Sequence, residues 1–310
     1  MTSTATSTTT HTATRTGITV LGSTNMDLVV YVDRHPARSE TVTGREFRTI
    51  PGGKGANQAV AAARAGATVT MIGAVGNDPH GTALRTALTQ AGVDTDSLRT
   101  TEDLTGTAHI VVDSAGSNSI VVIPGANGTV TALAPGDEAV IASSATLLLQ
   151  LELPLSGVTA GAEAARRNGV RTILTPAPAQ PLPPELLAAT DLLIPNRLES
   201  QTLTGGLTDP YEAAAVLLQQ VPEVLITLGS EGTLYATRTS EPLLTPARLV
   251  EAIDTTGAGD AFVGALAVAL NEGKPMPAAI TWATNAAALC VQRTGATPSM
   301  PYRTEIDSAS

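Results

Sequence analysis

The chain alternates short aliphatic and β-branched runs with longer segments of helical periodicity, and this alternation restricts its fold more than any other feature. It is the pattern of parallel strands joined by crossover helices. The strand segments are almost wholly apolar, which is typical of strands buried on both faces. We therefore predict a three-layer α/β/α, Rossmann-like arrangement around a mainly parallel sheet. Strands are predicted at 18–23, 68–76, 146–152, 171–177, 191–196 and 224–230, and helices at 55–67, 79–92, 258–272 and 277–292.

Four β segments interrupt this rhythm without helices between them, at 28–33, 41–50, 107–114 and 118–125. The first two are predicted to form an antiparallel ribbon, and the last two a hairpin. We infer a small separate sheet, formed from about 28–50 and 105–124, that acts as a lid over a cleft.

Composition excludes several classes of protein. The net charge is −10, so a general basic surface for nucleic acid or anionic lipid is missing. No apolar run is long enough to span a membrane, and the four histidines lack zinc-ligand spacing. The single cysteine, Cys290, excludes an internal disulfide and fits a reducing cytoplasm. Residues 1–16, rich in Thr and Ser, are predicted to be a disordered tail, and residues 304–310 a C-terminal tail.

The segment GAGDAFVGALAVAL places two glycines and an acid at the start of a predicted helix. Gly257 and Gly259 allow a ligand to approach the backbone closely. The first N–H groups of the helix lack partners and favour an anion such as phosphate. Asp260 lies in the same turn, where the helix dipole would keep it ionised and able to accept a proton from a hydroxyl. The alternative is that Asp260 only complements the dipole and the glycines only turn the chain.

Two further segments carry candidate sugar ligands. In PGGKGANQA, the N–H groups of Gly52 and Gly53, with Lys54 and Asn57, are able to donate to hydroxyls, although a tight turn with a solvated lysine is equally compatible. In STNMD, Asp27 follows a predicted strand end, where open α/β sheets bind ligands. Its carboxylate suits a sugar diol, but a turn or capping aspartate is the alternative.

Acids and an amide follow other strands. Glu152 ends an apolar run, and NRLE sets Asn196 and Glu199 on one helical face. Their oxygens suit Mg²⁺ bound through water. The alternative for Asn196 and Glu199 is a helix cap with an acid in the first turn.

Taken together, these segments resemble the ribokinase-like (PfkB-type) carbohydrate kinases. GGKGANQA is similar to the N-terminal signature of that family, and DTTGAGDAF to its C-terminal signature. LGSTNMD, QLELP, NRLE, TLGSEG and RTGATPS follow in the expected order. The resemblance covers residues 17–303 and implies the ribokinase-like fold, a single kinase domain with a β lid.

The resemblance implies a role for each candidate residue. Asp260 would be the general base, beside an anion hole formed by Gly257, Ala258 and Gly259. The sugar would be held by Asp27, Gly52, Gly53, Lys54, Asn57 and Glu152. The residues facing ATP would be Asn196, Thr227, Leu228, Gly229, Ser230, Glu231, Gly232, Gly259, Thr284 and Asn285. Glu199 would order Mg²⁺, and an activating K⁺ would be bound by Asp254, Thr256, Cys290, Arg293, Gly295 and Ser299.

Two positions depart from the family pattern. Thr284 lies where an Asn or His is expected near adenine, and Asn285 follows one place later. Cys290 replaces a smaller residue, which matters little if only its carbonyl binds the cation.

The implied activity is ATP-dependent phosphorylation of a small sugar, with a base of ordinary low pKa, because the transition state of phosphoryl transfer is loose. The residues of the motifs GGKGANQA and STNMD favour D-ribose over fructose, deoxyribose or nucleosides. The chain has only seven aromatic residues to stack on a nucleobase. A sugar-binding protein without catalysis is the alternative from another class, against which the intact Asp260 argues. The open edges of the lid predict a homodimer.

Overall fold

The computed structural model describes residues 15–309, and its elements alternate as predicted. Its strands are β1 (Ile18–Leu21), β2 (Asn25–Tyr31), β3 (Glu46–Gly52), β4 (Val69–Gly76), β5 (Val93–Asp94), β6 (Leu98–Thr101), β7 (Gly106–Val112), β8 (Asn118–Ile123), β9 (Thr146–Leu149), β10 (Arg171–Leu174), β11 (Leu192–Leu193), β12 (Glu223–Thr227), β13 (Thr233–Thr237) and β14 (Leu243–Thr245). Its helices are α1 (Lys54–Arg64), α2 (Pro79–Gln90), α3 (Asp137–Ser143), α4 (Leu155–Arg167), α5 (Pro184–Ala188), α6 (Arg197–Leu203), α7 (Pro210–Leu217), α8 (Ala258–Asn271), α9 (Met276–Cys290) and α10 (Arg303–Ser308).

The main sheet has the order β14-β13-β12-β11-β10-β9-β1-β4-β5, and β6 pairs with the end of β4. The strands from β12 to β5 are mutually parallel. At the other edge, β13 and β14 are antiparallel, and the sequence pattern did not predict them. The mainly parallel sheet is confirmed.

Two hydrophobic cores lie on opposite faces of this sheet. Val20 and Leu148 belong to the core formed with α1, α2, α8 and α9. Their chain neighbours Leu21, Leu147 and Leu149 belong to the core formed with α3, α4, α5 and α7. Because successive strand residues point to opposite faces, this division produces the predicted three layers.

The four segments outside the rhythm form a separate sheet of order β3-β2-β7-β8. β2 pairs antiparallel with β3 and parallel with β7, and β7 and β8 form the predicted hairpin. β2 begins at Asn25, so Asp27 lies inside a lid strand and not directly after β1, as the sequence pattern had suggested. Every residue of β8 is exposed.

Residues 303–308 form a helix, although 304–310 was predicted to be a tail. In α10, Ile306 is buried against the core of α8 and α9, and Arg303 forms an ion pair with Glu272. Most of the predicted 1–16 tail lies outside the described residues. Arg15, at their start, donates to the carbonyl of Asn168 at 2.7 Å. Within 15–309, no helix has the length and apolarity needed to cross a membrane.

Candidate active site

At the start of α8, two backbone N–H groups donate no hydrogen bond to any described residue. Gly257 has φ 78°, the left-handed conformation that favours glycine, and α8 begins at the next residue. The N–H of Ala258 donates to Thr255 O at 3.3 Å. Among residues 15–309, no acceptor faces the N–H groups of Gly259 and Asp260. An unfilled helix N-terminus of this kind favours an anion.

Asp260 is buried, and each of its carboxylate oxygens accepts a hydrogen bond from a side-chain amide of α1. Asn57 Nδ2 donates to Oδ2 and Gln58 Nε2 donates to Oδ1, both at 3.0 Å. Burial raises the pKa of Asp260, while Lys54 and the two amides oppose this shift. A base of ordinary low pKa was expected to suffice; the pKa of this one is shifted upward, because desolvation of the carboxylate outweighs the groups that stabilise its charge.

Small residues allow α1 and α8 to approach closely enough for these contacts. Gly264 lies one turn after Asp260 on the same face of α8. A Cβ at Gly264 would lie 2.6 Å from Ala61 Cβ and 2.8 Å from Ala62 N. Without this glycine the helices would separate, and Asp260 would move away from Asn57 and Gln58.

The start of α1 is bound by a carboxylate from the far side of the site. Gly53, at φ 91°, precedes the helix, which has no capping side chain of its own. Glu152, three residues beyond the end of β9, accepts from Lys54 N at 3.0 Å and from Ser23 Oγ at 2.5 Å. Its negative charge is favourable at a helix N-terminus. The predicted sugar residues Gly53, Lys54 and Glu152 are thus brought together.

Lys54 lies among the acids of the site. Burial by itself lowers the pKa of its ammonium, but attraction to nearby carboxylates outweighs burial and raises it. These carboxylates are Asp260, Glu152 and Glu199. The ammonium therefore remains charged and connects the sugar side of the site with the residues predicted to face ATP.

Asp27, in the small sheet, has a strongly raised pKa. Burial and the charge of Glu152 raise its pKa to about 7. A Cβ at Gly52 would lie 2.3 Å from Asp27 Oδ2, so only glycine fits opposite this carboxylate. The structure thereby places Asp27, Gly52 and Glu152 in one neighbourhood.

A cleft of about 580 Å³ opens on the other side of α8. The predicted ATP residues that line it are Asn196, Thr227, Leu228, Gly229, Ser230, Gly232, Gly259 and Thr284. Ala258 also lines it, so the cleft reaches the open N–H groups. Much of the remaining lining is apolar and was not predicted, including Leu249, Val250, Phe262 and Val291.

Two predicted ATP residues do not line this cleft. Glu231 forms an ion pair with Arg197 at 2.6 Å. Asn285 is buried, and its Oδ1 accepts from Arg248 at 3.4 Å. Of the two candidates for the adenine contact, the structure thus places Thr284 in the cleft wall.

Asn196 and Glu199 form a capping box at the start of α6. Asn196 Oδ1 accepts from Glu199 N at 2.8 Å, and Glu199 Oε2 accepts from Asn196 N at 2.7 Å. The second Glu199 oxygen accepts from Asn196 Nδ2 at 2.8 Å. The capping alternative is therefore correct. Each carboxylate oxygen keeps a lone pair, which suits binding of Mg²⁺ through water better than direct ligation.

The residues predicted to bind K⁺ surround the turn before α8. Asp254 accepts from Thr256 N at 2.9 Å and from Gly295 N at 2.8 Å. Burial favours protonation of Asp254, but these hydrogen bonds outweigh it and lower the pKa. Ser299 Oγ lies 3.0 Å from the Cys290 sulfur. An ionised carboxylate with several carbonyls is a donor set that suits a hard cation, whereas the Arg293 side chain pairs with Glu305.

Several contributors to the site were not predicted. Ser23 donates to Glu152, and Gln58 donates to Asp260, although both residues lie inside predicted motifs, LGSTNMD and GGKGANQA. Thr297 Oγ1 donates to Asn57 Oδ1 at 2.8 Å and connects the loop after α9 with α1. Buried polar residues in apolar helices were the available signal, because such groups need partners.

Comparison with known proteins agrees with this geometry. The profile of the pfkB family carbohydrate kinases matches residues 15–303. The chain is 44% identical over 292 residues to the ribokinase of Bacillus subtilis, covering 94% of this chain and 98% of that protein. It is 42% identical over 295 residues to the ribokinase of Haemophilus influenzae, covering 93% and 96%.

A solved structure shares the whole architecture. The Arabidopsis thaliana ribokinase complexed with ribose and ATP has a TM-score of 0.90 and 36% identity, covering 94% of this chain and 98% of that one. With matches at this level over nearly the whole chain, the protein belongs to the pfkB family of carbohydrate kinases.

Proposed function

We propose that the protein phosphorylates D-ribose at O5 with ATP, giving D-ribose 5-phosphate and ADP. The observation that carries the proposal is the start of α8. Its open N–H groups border the large cleft, and the adjacent Asp260 carboxylate is directed toward α1 among the predicted sugar residues. The ribokinase names of the relatives, and ribose and ATP in the Arabidopsis structure, support the choice of substrates.

In this proposal the sugar lies between the lid and the first turns of α1 and α8. Asp27 and Glu152 accept from its hydroxyls, and Lys54, Asn57 and the N–H groups of Gly52 and Gly53 provide donors. Burial removes water from the Asp260 carboxylate and so raises its pKa. Its raised pKa makes it a better proton acceptor than an exposed aspartate when the O5 hydroxyl attacks.

The amides of α8 act on the phosphoryl group. Phosphoryl transfer is loose, so positioning and charge stabilisation contribute more than strong base catalysis. Gly257 and Gly259 remain from the predicted anion hole, and Asp260 N–H takes the place of Ala258 N–H, which donates to Thr255 O. These N–H groups donate to the oxygens that carry charge in the transition state, in the manner of an oxyanion hole. The Lys54 ammonium, near Asp260 and Glu199, adds positive charge beside the start of α8.

Two cations fit the residues present. Glu199 would hold Mg²⁺ through water, and the ion would neutralise the phosphate charge of ATP when bound. Asp254, Thr256 and Ser299, with the carbonyls of Cys290, Arg293 and Gly295, would hold K⁺, which would stabilise the turn before α8. Asp254 already binds both sides of this turn, through Thr256 N and Gly295 N.

The lid supports two further parts of the proposal. Closure over the sugar would exclude water, which otherwise accepts the phosphoryl group. The exposed apolar side chains of β8, Ile120 to Ile123, would pair with a second copy to give a homodimer. We place the enzyme in the cytoplasm, where ATP is available and the lone Cys290 stays reduced.

ADP release measured with ATP, Mg²⁺, K⁺ and one acceptor at a time tests the proposal. The acceptors are D-ribose, D-fructose, 2-deoxyribose and adenosine. The highest kcat/KM is expected for D-ribose. A higher value for another acceptor would replace ribose as the substrate, and no ADP release with any of them would favour a binding protein without catalysis.

A further inference from the structure

Two glutamines form a buried chain that ends on Asp260. Gln58 and Gln150 are each 0% exposed. Gln150 Nε2 donates to Gln58 Oε1 at 2.6 Å, and Gln58 Nε2 donates to Asp260 Oδ1 at 3.0 Å. Gln58 Nε2 also lies 3.3 Å from Thr175 Oγ1. The chain thus joins the end of β9 to the reacting carboxylate through α1.

The direction of both amides follows from the charge at one end. An ionised carboxylate only accepts hydrogen bonds, so Gln58 must turn its NH₂ group toward Asp260. Its oxygen then faces Gln150, which must also present its NH₂ group. Reversing either amide would place two acceptors against each other. The order of donors and acceptors is consistent only with a chain directed at an acceptor on Asp260.

This arrangement leaves one polar atom without a partner. Gln150 Oε1 is buried and accepts no hydrogen bond from any residue between 15 and 309. It lies against Gly22, where an added Cβ would be 2.1 Å away. An unpaired buried amide oxygen lowers the stability of the fold. Apolar residues at both 58 and 150 would avoid this cost but would leave Asp260 Oδ1 without the donor from Gln58, so the pair is better explained by Asp260 than by folding alone.

We propose that Gln58 and Gln150 are positioning residues for phosphoryl transfer: their oriented amides hold the Asp260 carboxylate in the direction from which it accepts the proton of the sugar hydroxyl. This inference rests on the proposed function for its kinetic effects. Gln58 acts on Asp260 directly, and Gln150 acts through Gln58. Asn57 holds the other oxygen, so the carboxylate is fixed at two points while each oxygen keeps a lone pair for the hydroxyl.

Other ionisable groups face Asp260 and must be kept unchanged in the test. Lys54 lies on α1, Glu152 follows β9, Glu199 lies on α6 and Cys290 lies on α9. None of them donates to Asp260 Oδ1. A change at Gln58 therefore alters the hydrogen bonding of this oxygen while the surrounding charges stay the same.

The kinetic test uses Gln58→Met, which keeps the length of the side chain and removes its polar atoms. We expect kcat to fall about 10- to 100-fold, the loss of one hydrogen bond to a charged group. The KM for ribose should change by less than about threefold, since Gln58 is not a sugar ligand. The acid limb of kcat against pH should move to higher pH, because the hydrogen bond from Gln58 holds the pKa of Asp260 down. Gln219→Met, at an exposed position beyond α7, is the matched control and should match the wild type.

Gln150→Met separates positioning from folding. It removes the unpaired oxygen of Gln150 but leaves Gln58 Oε1 without its donor, so the number of unpaired oxygens stays the same. We expect a smaller fall in kcat than in Gln58→Met, about 3- to 10-fold, with little change in Tm. A loss of kcat that only follows a loss of Tm in both variants would contradict the proposal.

A measurement without turnover keeps the inference separate from the proposed function. Protein labelled with ¹³C at the aspartate carboxyl carbon is titrated by NMR, and the Asp260 signal is assigned by its absence in Asp260→Asn. The titration midpoint should rise in Gln58→Met, because the hydrogen bond from Gln58 lowers the pKa of Asp260. An unchanged midpoint overturns the proposal, whether or not ribose is the substrate. Absence of ribose phosphorylation by the wild type, with the midpoint shifted, overturns only the proposed function.

Discussion

The proposed sugar half of the site and the proposed nucleotide half are built from different kinds of groups. Around Asp260 the contacts come from buried carboxylates, amides and an ammonium, with acids whose pKa values are raised by burial. The proposed nucleotide cleft is lined mainly by small residues and aliphatic side chains such as Leu249 and Val250, with two arginines, Arg197 and Arg248. The α8 N-terminus is the boundary between them. Single substitutions should therefore have large effects in the first half and small effects in the second.

The largest effect is expected at the boundary. Asp260→Asn removes the proton acceptor but keeps the shape of the side chain, so kcat should fall about 10²- to 10⁴-fold. Ribose should still bind, because its other ligands remain. Steady-state ADP release gives kcat, and calorimetric titration gives the ribose Kd. Turnover close to that of the wild type would remove Asp260 from the role of base.

In the sugar half, Asp27→Asn should weaken ribose binding. At pH 8, above the pKa of Asp27, it replaces a charged acceptor by a neutral amide, and the KM for ribose should rise about 10- to 100-fold with a smaller change in kcat. The exposed lid carboxylate Asp33 provides the matched control, Asp33→Asn, which should leave both constants unchanged. An unchanged ribose KM in Asp27→Asn would exclude Asp27 as a sugar ligand.

The same substitution should make the fold more stable at high pH. The pKa of Asp27 is about 7, above the ordinary value near 4 of an unfolded chain. The folded protein thus keeps a proton that the unfolded chain releases, and this contribution to stability is lost as pH rises from about 4 through 7. The free energy of unfolding of Asp27→Asn should therefore exceed that of the wild type by about 1–3 kcal/mol at pH 8, less than the full pKa shift implies because water screens part of it. At pH 5 the difference should be smaller. Urea unfolding at both pH values measures it. A variant less stable than the wild type at pH 8 would contradict the raised pKa.

A smaller effect is expected from the cation loop, because it acts on the boundary indirectly. Replacing K⁺ by Na⁺ at equal ionic strength should lower kcat several-fold. Asp254→Ala should remove this difference, because it removes the charged ligand and both hydrogen bonds to the turn. Equal rates of the wild type in the two salts would exclude a selective cation site at Asp254.

The smallest effect is expected in the nucleotide half. Leu249 is 84% exposed in the cleft wall, and ATP would cover part of it. Leu249→Ala should raise the KM for ATP at most about fivefold, in proportion to the apolar area lost, and should leave the KM for ribose unchanged. A change as large as that of Asp27→Asn would contradict the contrast between the two halves.

The same contrast explains how much could be predicted from sequence. Glycines followed by polar residues at helix starts indicated Lys54, Asn57 and Asp260, because this chemistry is local. The alternation of strands and helices predicted the parallel sheet for the same reason. The apolar cleft wall carries no such signature, since Leu249 and Val250 resemble core residues in any sequence.

Long-range contacts account for most of what was missed. Gln58 meets Asp260 across 202 positions and Gln150 across 92, which no local pattern indicates. The raised pKa of Asp260 also depends on tertiary burial and not on its helix position. The antiparallel edge strands β13 (TLYAT) and β14 (LLT) mix threonine with their few apolar residues, so they lack the apolar run of the parallel strands.

The central claim is that the open amides of α8 hold the transferred phosphoryl group while Asp260 receives the hydroxyl proton. A crystal structure with ribose, ADP and aluminium fluoride tests it most directly. The account predicts fluorides about 3 Å from the N–H groups of Gly259 and Asp260, with the O5 hydroxyl at hydrogen-bonding distance from the Asp260 carboxylate. A phosphoryl mimic bound away from this helix start, or a ribose hydroxyl that does not reach Asp260, would contradict it.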